Sequence, residues 1–112
     1  MHSWRTLNTW GGRSTFQYNG SVSSGTKIKY GQNYKYQINI TKEQYNALLN
    51  HFRGETVPAG TSKTDPPRGS VGEWLQANVT RTAISSYVCP ILIAERFAER
   101  VRNTEIRFIT QR

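Results

Sequence analysis

Apolar and polar residues alternate with period two in two neighbouring runs, Thr26-Lys27-Ile28-Lys29-Tyr30 and Tyr34-Lys35-Tyr36-Gln37-Ile38-Asn39-Ile40. Successive side chains of a strand point to opposite faces, so this pattern predicts two strands joined by a turn at Gly31-Gln32-Asn33. One face of the hairpin collects Ile28, Tyr30, Tyr34, Tyr36, Ile38 and Ile40. The other collects Lys27, Lys29, Lys35, Gln37 and Asn39. Upstream, Thr15 to Tyr18 suits a short strand, and Asn19 to Gly25 is a cluster of turn residues. Residues 1–13 hold Trp4, Trp10 and a Gly11-Gly12 pair without periodicity, which fits either a flexible arm or a strand laid over the core.

The period then changes to a helical one. Thr41-Lys42-Glu43-Gln44 has the spacing of a capping box, and Tyr45, Leu48, Leu49 and Phe52 follow at i, i+3, i+4 and i+7, so a helix begins here and buries one stripe. Gly54 suits the left-handed position that ends a helix, and His51 lies one residue off the stripe. Residues 55–69 read as a connector, because Pro58, Gly60, Pro66, Pro67 and Gly69 break both periods. A loop of about fifteen residues is long for a small domain and tends to be either functional or partly mobile, so Lys63, Asp65 and Arg68 are candidates for contact, although a solvated linker is the favoured reading.

Ser70 and Glu73 repeat the capping spacing, and Val71, Trp74, Leu75 and Val79 share one face of a short helix. Asn78 or Thr80 would cap a further helix that turns Ile84, Tyr87, Val88, Ile91 and Leu92 inward. Its outward face would begin with Arg81, Thr82, Ser85 and Ser86, at a helix N-terminus where backbone amides favour phosphate. Pro90 predicts a kink or two consecutive helices. Phe97 to Arg102, a turn near Asn103-Thr104, and Glu105 to Ile109 close the chain as a hairpin. Phe97, Val101, Ile106 and Phe108 would face its core, and Arg100, Arg102 and Arg107 its tip or edge. The expected fold is a single α+β domain over residues 1–112: N-terminal antiparallel strands, three to four short helices, and a C-terminal β-hairpin.

Charge adds a direction to this outline. Fifteen Lys and Arg against seven Asp and Glu give a formal charge of +8, and a pI near 10.1, which favours polyanionic partners, nucleic acid first among them. Residues 1–40 carry Arg5, Arg13, Lys27, Lys29 and Lys35 and no acid. Lysines on the outer face of a strand also serve simply as its solvated half and discourage edge pairing.

Candidate chemistry is sparse. Cys89 is the only cysteine, which excludes an intramolecular disulfide, and with only His2 and His51 beside it a zinc site is not expected. Gly20 to Lys27 has the glycine spacing of a phosphate-binding loop, but Lys and Thr are transposed and a strand follows where a helix is needed. No nucleophile elbow, metalloprotease motif or carboxylate pair is present, and Asp65 is the only Asp. We therefore expect no catalysis and no cofactor. The first ten residues lack a secretory core, and the run from Tyr87 to Ala94 is too short to span a bilayer, so a soluble cytoplasmic protein without a membrane partner is expected.

From Ser70 on, the segment resembles a winged helix-turn-helix domain. Val71 to Ala77 is similar to the short helix before the turn, Thr-Arg-Thr-Ala-Ile-Ser-Ser-Tyr-Val (80–88) to the start of a recognition helix, and Phe97-Ala98-Glu99-Arg100 to the beginning of the wing. The helix at Thr41 to Arg53 would be the first of three, so the likeness covers residues 41–109. The sequence departs from the pattern in its short turn near Asn78, which lacks the usual Gly, in Pro90, and in the long connector. The resemblance implies DNA binding, with Arg81, Thr82, Ser85 and Ser86 near base edges and Arg100, Arg102 and Arg107 on the backbone. Lys27, Lys29 and Lys35 would add a basic ribbon. The sequence-level expectation is thus a non-enzymatic nucleic-acid-binding domain, DNA ahead of RNA. The alternatives are a protein interaction or assembly module, with homo-oligomers included, and a small-ligand binder using the aromatic sheet.

Overall fold

Every residue from 3 to 110 is described by the computed structural model; His2, named above beside Cys89, lies outside that range. Within it the chain is α+β. Strands β1 (Arg5–Asn8), β2 (Thr15–Ser21), β3 (Gly25–Tyr30) and β4 (Tyr36–Ile40) form an antiparallel meander in the order β1-β2-β3-β4. Then follow α1 (Lys42–Phe52), β5 (Thr56–Pro58), α2 (Val71–Asn78), α3 (Ser85–Ala94), β6 (Ala98–Arg102) and β7 (Glu105–Phe108). The last three strands make a second antiparallel sheet in the order β5-β7-β6.

Local signals explain most of these elements. The β3–β4 alternation becomes a paired ribbon in which Ile28 faces Ile38 and Lys29 faces Gln37. Thr41 caps α1 through a complete box, its hydroxyl accepting from the Gln44 N–H while the Gln44 side chain accepts from the Thr41 N–H. Ser70 caps α2 by accepting from the Glu73 N–H, and the Glu73 carboxylate reaches one residue further back, to the Gly69 N–H. Gly54 takes φ 72, as the end of α1 requires.

Several expectations need correction. Residues 5–8 are a strand and Trp10 is buried, so the described part of the 1–13 segment takes the strand alternative. The turn cluster after Tyr18 begins later, because β2 runs on to Ser21 with Gly20 opposite Thr26. Tyr34 leaves the inner row of β4: with Asn33 it adopts positive φ in a 3-10 turn (Gln32–Tyr34), and its hydroxyl pairs with Thr15 at 2.6 Å. The connector hides β5, an edge strand that tolerates Pro58 because its missing N–H faces no partner strand. Val101 is exposed rather than inward, since a bulge between Arg100 and Arg102 shifts the register of β6, and Ala98 fills the inner position.

The largest correction concerns α3. It starts at Ser85 without a side-chain cap, so Arg81 and Thr82 lie in the turn between α2 and α3 and not on a helix. Of the two alternatives at Pro90, two consecutive helices are not found: α3 is one helix through it. A proline at position 90 cannot donate to the carbonyl of Ser86, and that carbonyl accepts instead from the Trp10 N–H at 3.0 Å. The N-terminal segment therefore docks where proline leaves a backbone acceptor open. Glu95, the cap at the other end, fixes the same sheet: it accepts from the Tyr18 hydroxyl and the Val22 N–H, both at 2.9 Å. With no charged side chain, α3 is apolar all round and behaves accordingly, with Val88, Cys89, Ile91 and Leu92 fully buried. One hydrophobic cluster runs from Phe16, Tyr18 and Ile28 of the first sheet through α3 to Ile106 and Phe108 of the second.

Candidate functional site

The ten sequence-selected contact residues separate into four places. Ser85 is in the interior: it is fully buried, and its hydroxyl donates to the Gly60 carbonyl at 2.8 Å. Ser86 is half-buried, its carbonyl held by Trp10. The expectation that both serines line an outward face fails, because Ser85 is enclosed by the Gly60 and Gly72 backbone and Trp10 docks on Ser86.

The arginines of the β6–β7 hairpin are engaged within the chain. Arg100 stacks on the Trp10 ring, 4.0 Å from its centroid, and donates to the carbonyls of Trp10 and Asn103 at 3.0 Å each. Arg102 pairs with Glu105 at 3.2 Å, and Arg107 pairs with Glu99 across the hairpin. Trp10 itself donates its indole N–H to the Asn103 carbonyl. A longer bond from Arg100 to the Arg102 carbonyl at 3.4 Å completes a brace between the N-terminal segment and the β6–β7 hairpin.

Lys27 and Lys29 stand on the outer face of the first sheet, away from α3. Pairing register sets Lys29 in a cross-strand row with Thr6, Gln17 and Gln37, and Lys27 in a row with Asn19 and Asn39. The Lys29 ammonium also lies over the Trp4 ring, 4.2 Å from its centroid. Those rows contain no carboxylate, and each places a lysine between two amides.

Arg81 and Thr82 do meet other functional groups, though not those the sequence suggested. They line a cleft of about 440 Å³ together with Tyr30, Tyr36, Tyr87 and Lys63. Three remote segments converge there: the end of the β3–β4 hairpin, the connector, and the turn before α3. The tyrosines form a ladder, with ring centroids 5.6 Å apart from Tyr36 to Tyr30 and 4.9 Å from Tyr30 to Tyr87. Tyr87 in turn meets Phe16 edge-on at 5.3 Å, which roots the ladder in the core. Burial holds the Tyr87 hydroxyl above its ordinary pKa, with Tyr30 adding to the effect, so it is a neutral hydrogen-bonding group.

At the outer end, Tyr36 is 51% exposed. Its ring lies directly on Gly31, where an added Cβ would come within 2.6 Å of the ring, and Gly31 has φ 82. Only glycine meets both demands. Lys35, the third ribbon lysine of the sequence reading, caps the 3-10 turn instead of extending β4, and its ammonium lies 5.2 Å from the Tyr36 centroid. Lys63 and Arg81 therefore line the cleft with the tyrosines, Lys35 lies against the Tyr36 ring beyond that lining, and among the described residues no carboxylate lines the cleft. A concave site walled by one sign of charge concentrates anions.

Of the cleft residues, the sequence singles out Arg81 and Thr82 for a helix face and Lys63 for its place in a long loop, while Tyr30, Tyr36 and Tyr87 carry only a core-face pattern. Cys89 is fully buried, and burial pushes its thiol far above the usual range, so it is not a nucleophile. Among the described residues, no three His, Cys, Asp or Glu side chains gather as metal ligands, and no helix is long and apolar enough to cross a membrane. In comparisons with known proteins, no family model, no curated protein and no solved structure matches this chain.

Proposed function

We propose that this protein is a small basic nucleic-acid-binding domain that acts by contact and not by catalysis. The observation that carries the reading is the carboxylate-free cleft that Lys63 and Arg81 line together with Tyr36 and Tyr30, with Lys35 against the Tyr36 ring at its margin. Cations supply the phosphate attraction that dominates nucleic-acid affinity, and aromatic rings supply contacts to bases. Further support comes from the net charge of +8 and the absence of acids from residues 1–40.

A winged-helix ancestry is part of the proposal. Its support is the element order α1, β5, α2, α3, β6, β7 and the strand order β5-β7-β6, in which the last strand lies between the other two. In that arrangement α3 would be the recognition helix. Here its surface is taken by the four-stranded sheet, so the binding role moves to the cleft beside its N-terminus. DNA remains the preferred partner class at this level.

Anisotropy titration of labelled DNA tests the reading. Each neutralised phosphate contributes about 0.7–0.9 to the slope of log affinity against log salt, so three cations give a slope of about −2 to −3. Replacing Lys63 and Arg81 together by Ala should flatten it by about two units of slope-counting phosphate. Absence of binding at about 50 mM salt, where electrostatic attraction is strong, would remove the proposal.

A further inference from the structure

We infer that the cleft takes an unpaired nucleotide, its base against Tyr36 and its phosphate between Lys63 and Arg81, so that the protein prefers single strands to duplex. This rests on the nucleic-acid reading above and adds the substrate class. Base faces are hidden inside a duplex and become available to an aromatic ring only when a strand is open. Tyr36 is suited to meet one: it is the most exposed of the large hydrophobic side chains among the described residues, yet Gly31 beneath it and the Tyr30–Tyr87 pair beside it fix its ring. A rigid exposed ring loses little freedom on stacking.

Dimensions point the same way. A volume of about 440 Å³ is that of a small-molecule pocket and not of a groove-filling surface. The element that could enter a major groove, α3, is uncharged and covered by the first sheet. Lys35, which now lies over the Tyr36 ring, is displaced by an incoming base and becomes available to the neighbouring phosphate.

The test compares a labelled thymidine oligonucleotide of about 16 nucleotides, the upper range for one small domain, with its duplex on a complementary adenine strand at equal salt. The single strand should bind at least about tenfold more tightly, and Tyr36→Ala should weaken it by about tenfold, the ordinary worth of one stacked base, while leaving duplex affinity unchanged. Tyr36→Phe should retain single-strand binding, because the ring and not the hydroxyl makes the contact. Thermal unfolding of each variant controls for folding. Equal or tighter duplex binding, or single-strand affinity indifferent to Tyr36→Ala, overturns this inference and leaves the nucleic-acid reading standing. Binding to neither oligonucleotide at low salt overturns both.

Discussion

The β6–β7 hairpin and the tyrosine cleft both gather cations, but they treat them differently. In the β6–β7 hairpin, Arg102 and Arg107 sit opposite Glu105 and Glu99, and Arg100 is locked on the Trp10 ring and three carbonyls. In the cleft, Arg81 and Lys63 face a cavity lined by tyrosines and no carboxylate. A count of positive charge does not distinguish these regions. What distinguishes them is whether the fold already satisfies each cation: an arginine bound to backbone carbonyls stabilises the structure, whereas one beside an unfilled cavity remains available to a ligand.

The comparison can be broken most severely at the joint that positions the cleft. An added Cβ at Gly72 would lie 1.8 Å from the Gly60 carbonyl oxygen, and the same carbonyl accepts from Ser85. Gly72→Ala should therefore destabilise the protein by about 3 kcal/mol or prevent folding, as measured by chemical denaturation, because backbone and not a flexible side chain must move.

A second test uses pH and addresses how firmly the first sheet is held on α3. Burial, then the hydrogen bond to Glu95, pushes the Tyr18 hydroxyl up to about 12 from its ordinary 10. A raised folded-state value favours the protonated form, so the associated stability is complete below pH 10 and is lost as pH climbs from 10 to 12. Wild-type protein should weaken across that window, and Tyr18→Phe should flatten the loss there.

Smaller effects separate brace from binder. Arg100→Ala removes a stacking contact and three charge-assisted hydrogen bonds, so it should lower stability by about 2 kcal/mol without lowering oligonucleotide affinity. Arg81→Ala should do the reverse, with affinity down several-fold and stability within about 0.5 kcal/mol, the usual range for an exposed surface change. Smallest of all, Arg102→Ala and Arg107→Ala remove exposed ion pairs worth about 0–1 kcal/mol and should leave binding intact.

Elements with short-range chemistry were legible in the sequence: the β3–β4 alternation, the Thr41 box, the Ser70 cap and the closing hairpin all depend on residues a few positions apart. Elements defined by distant partners were not. β5 is three residues ending in Pro58, and it is a strand only because β7 pairs with it. Ser85 looked like the exposed start of a helix because nothing nearby reveals that Gly60 needs its hydroxyl. Likewise the cleft joins Tyr30, Lys63 and Arg81 from segments that no spacing connects. One signal was available: a proline inside an apolar helix frees a carbonyl four residues earlier, so Pro90 implied an external donor for Ser86, and Trp10 supplies it.

Titrating the isotope-labelled protein with a thymidine oligonucleotide while following backbone amide shifts locates the contact most directly. The expected result is large, saturating shifts at residues 30–36, around Lys63 and at residues 81–83, with residues 99–107 nearly still. Shifts concentrated in the β6–β7 hairpin, or along α3, would contradict the placement of the polyanion in the tyrosine cleft.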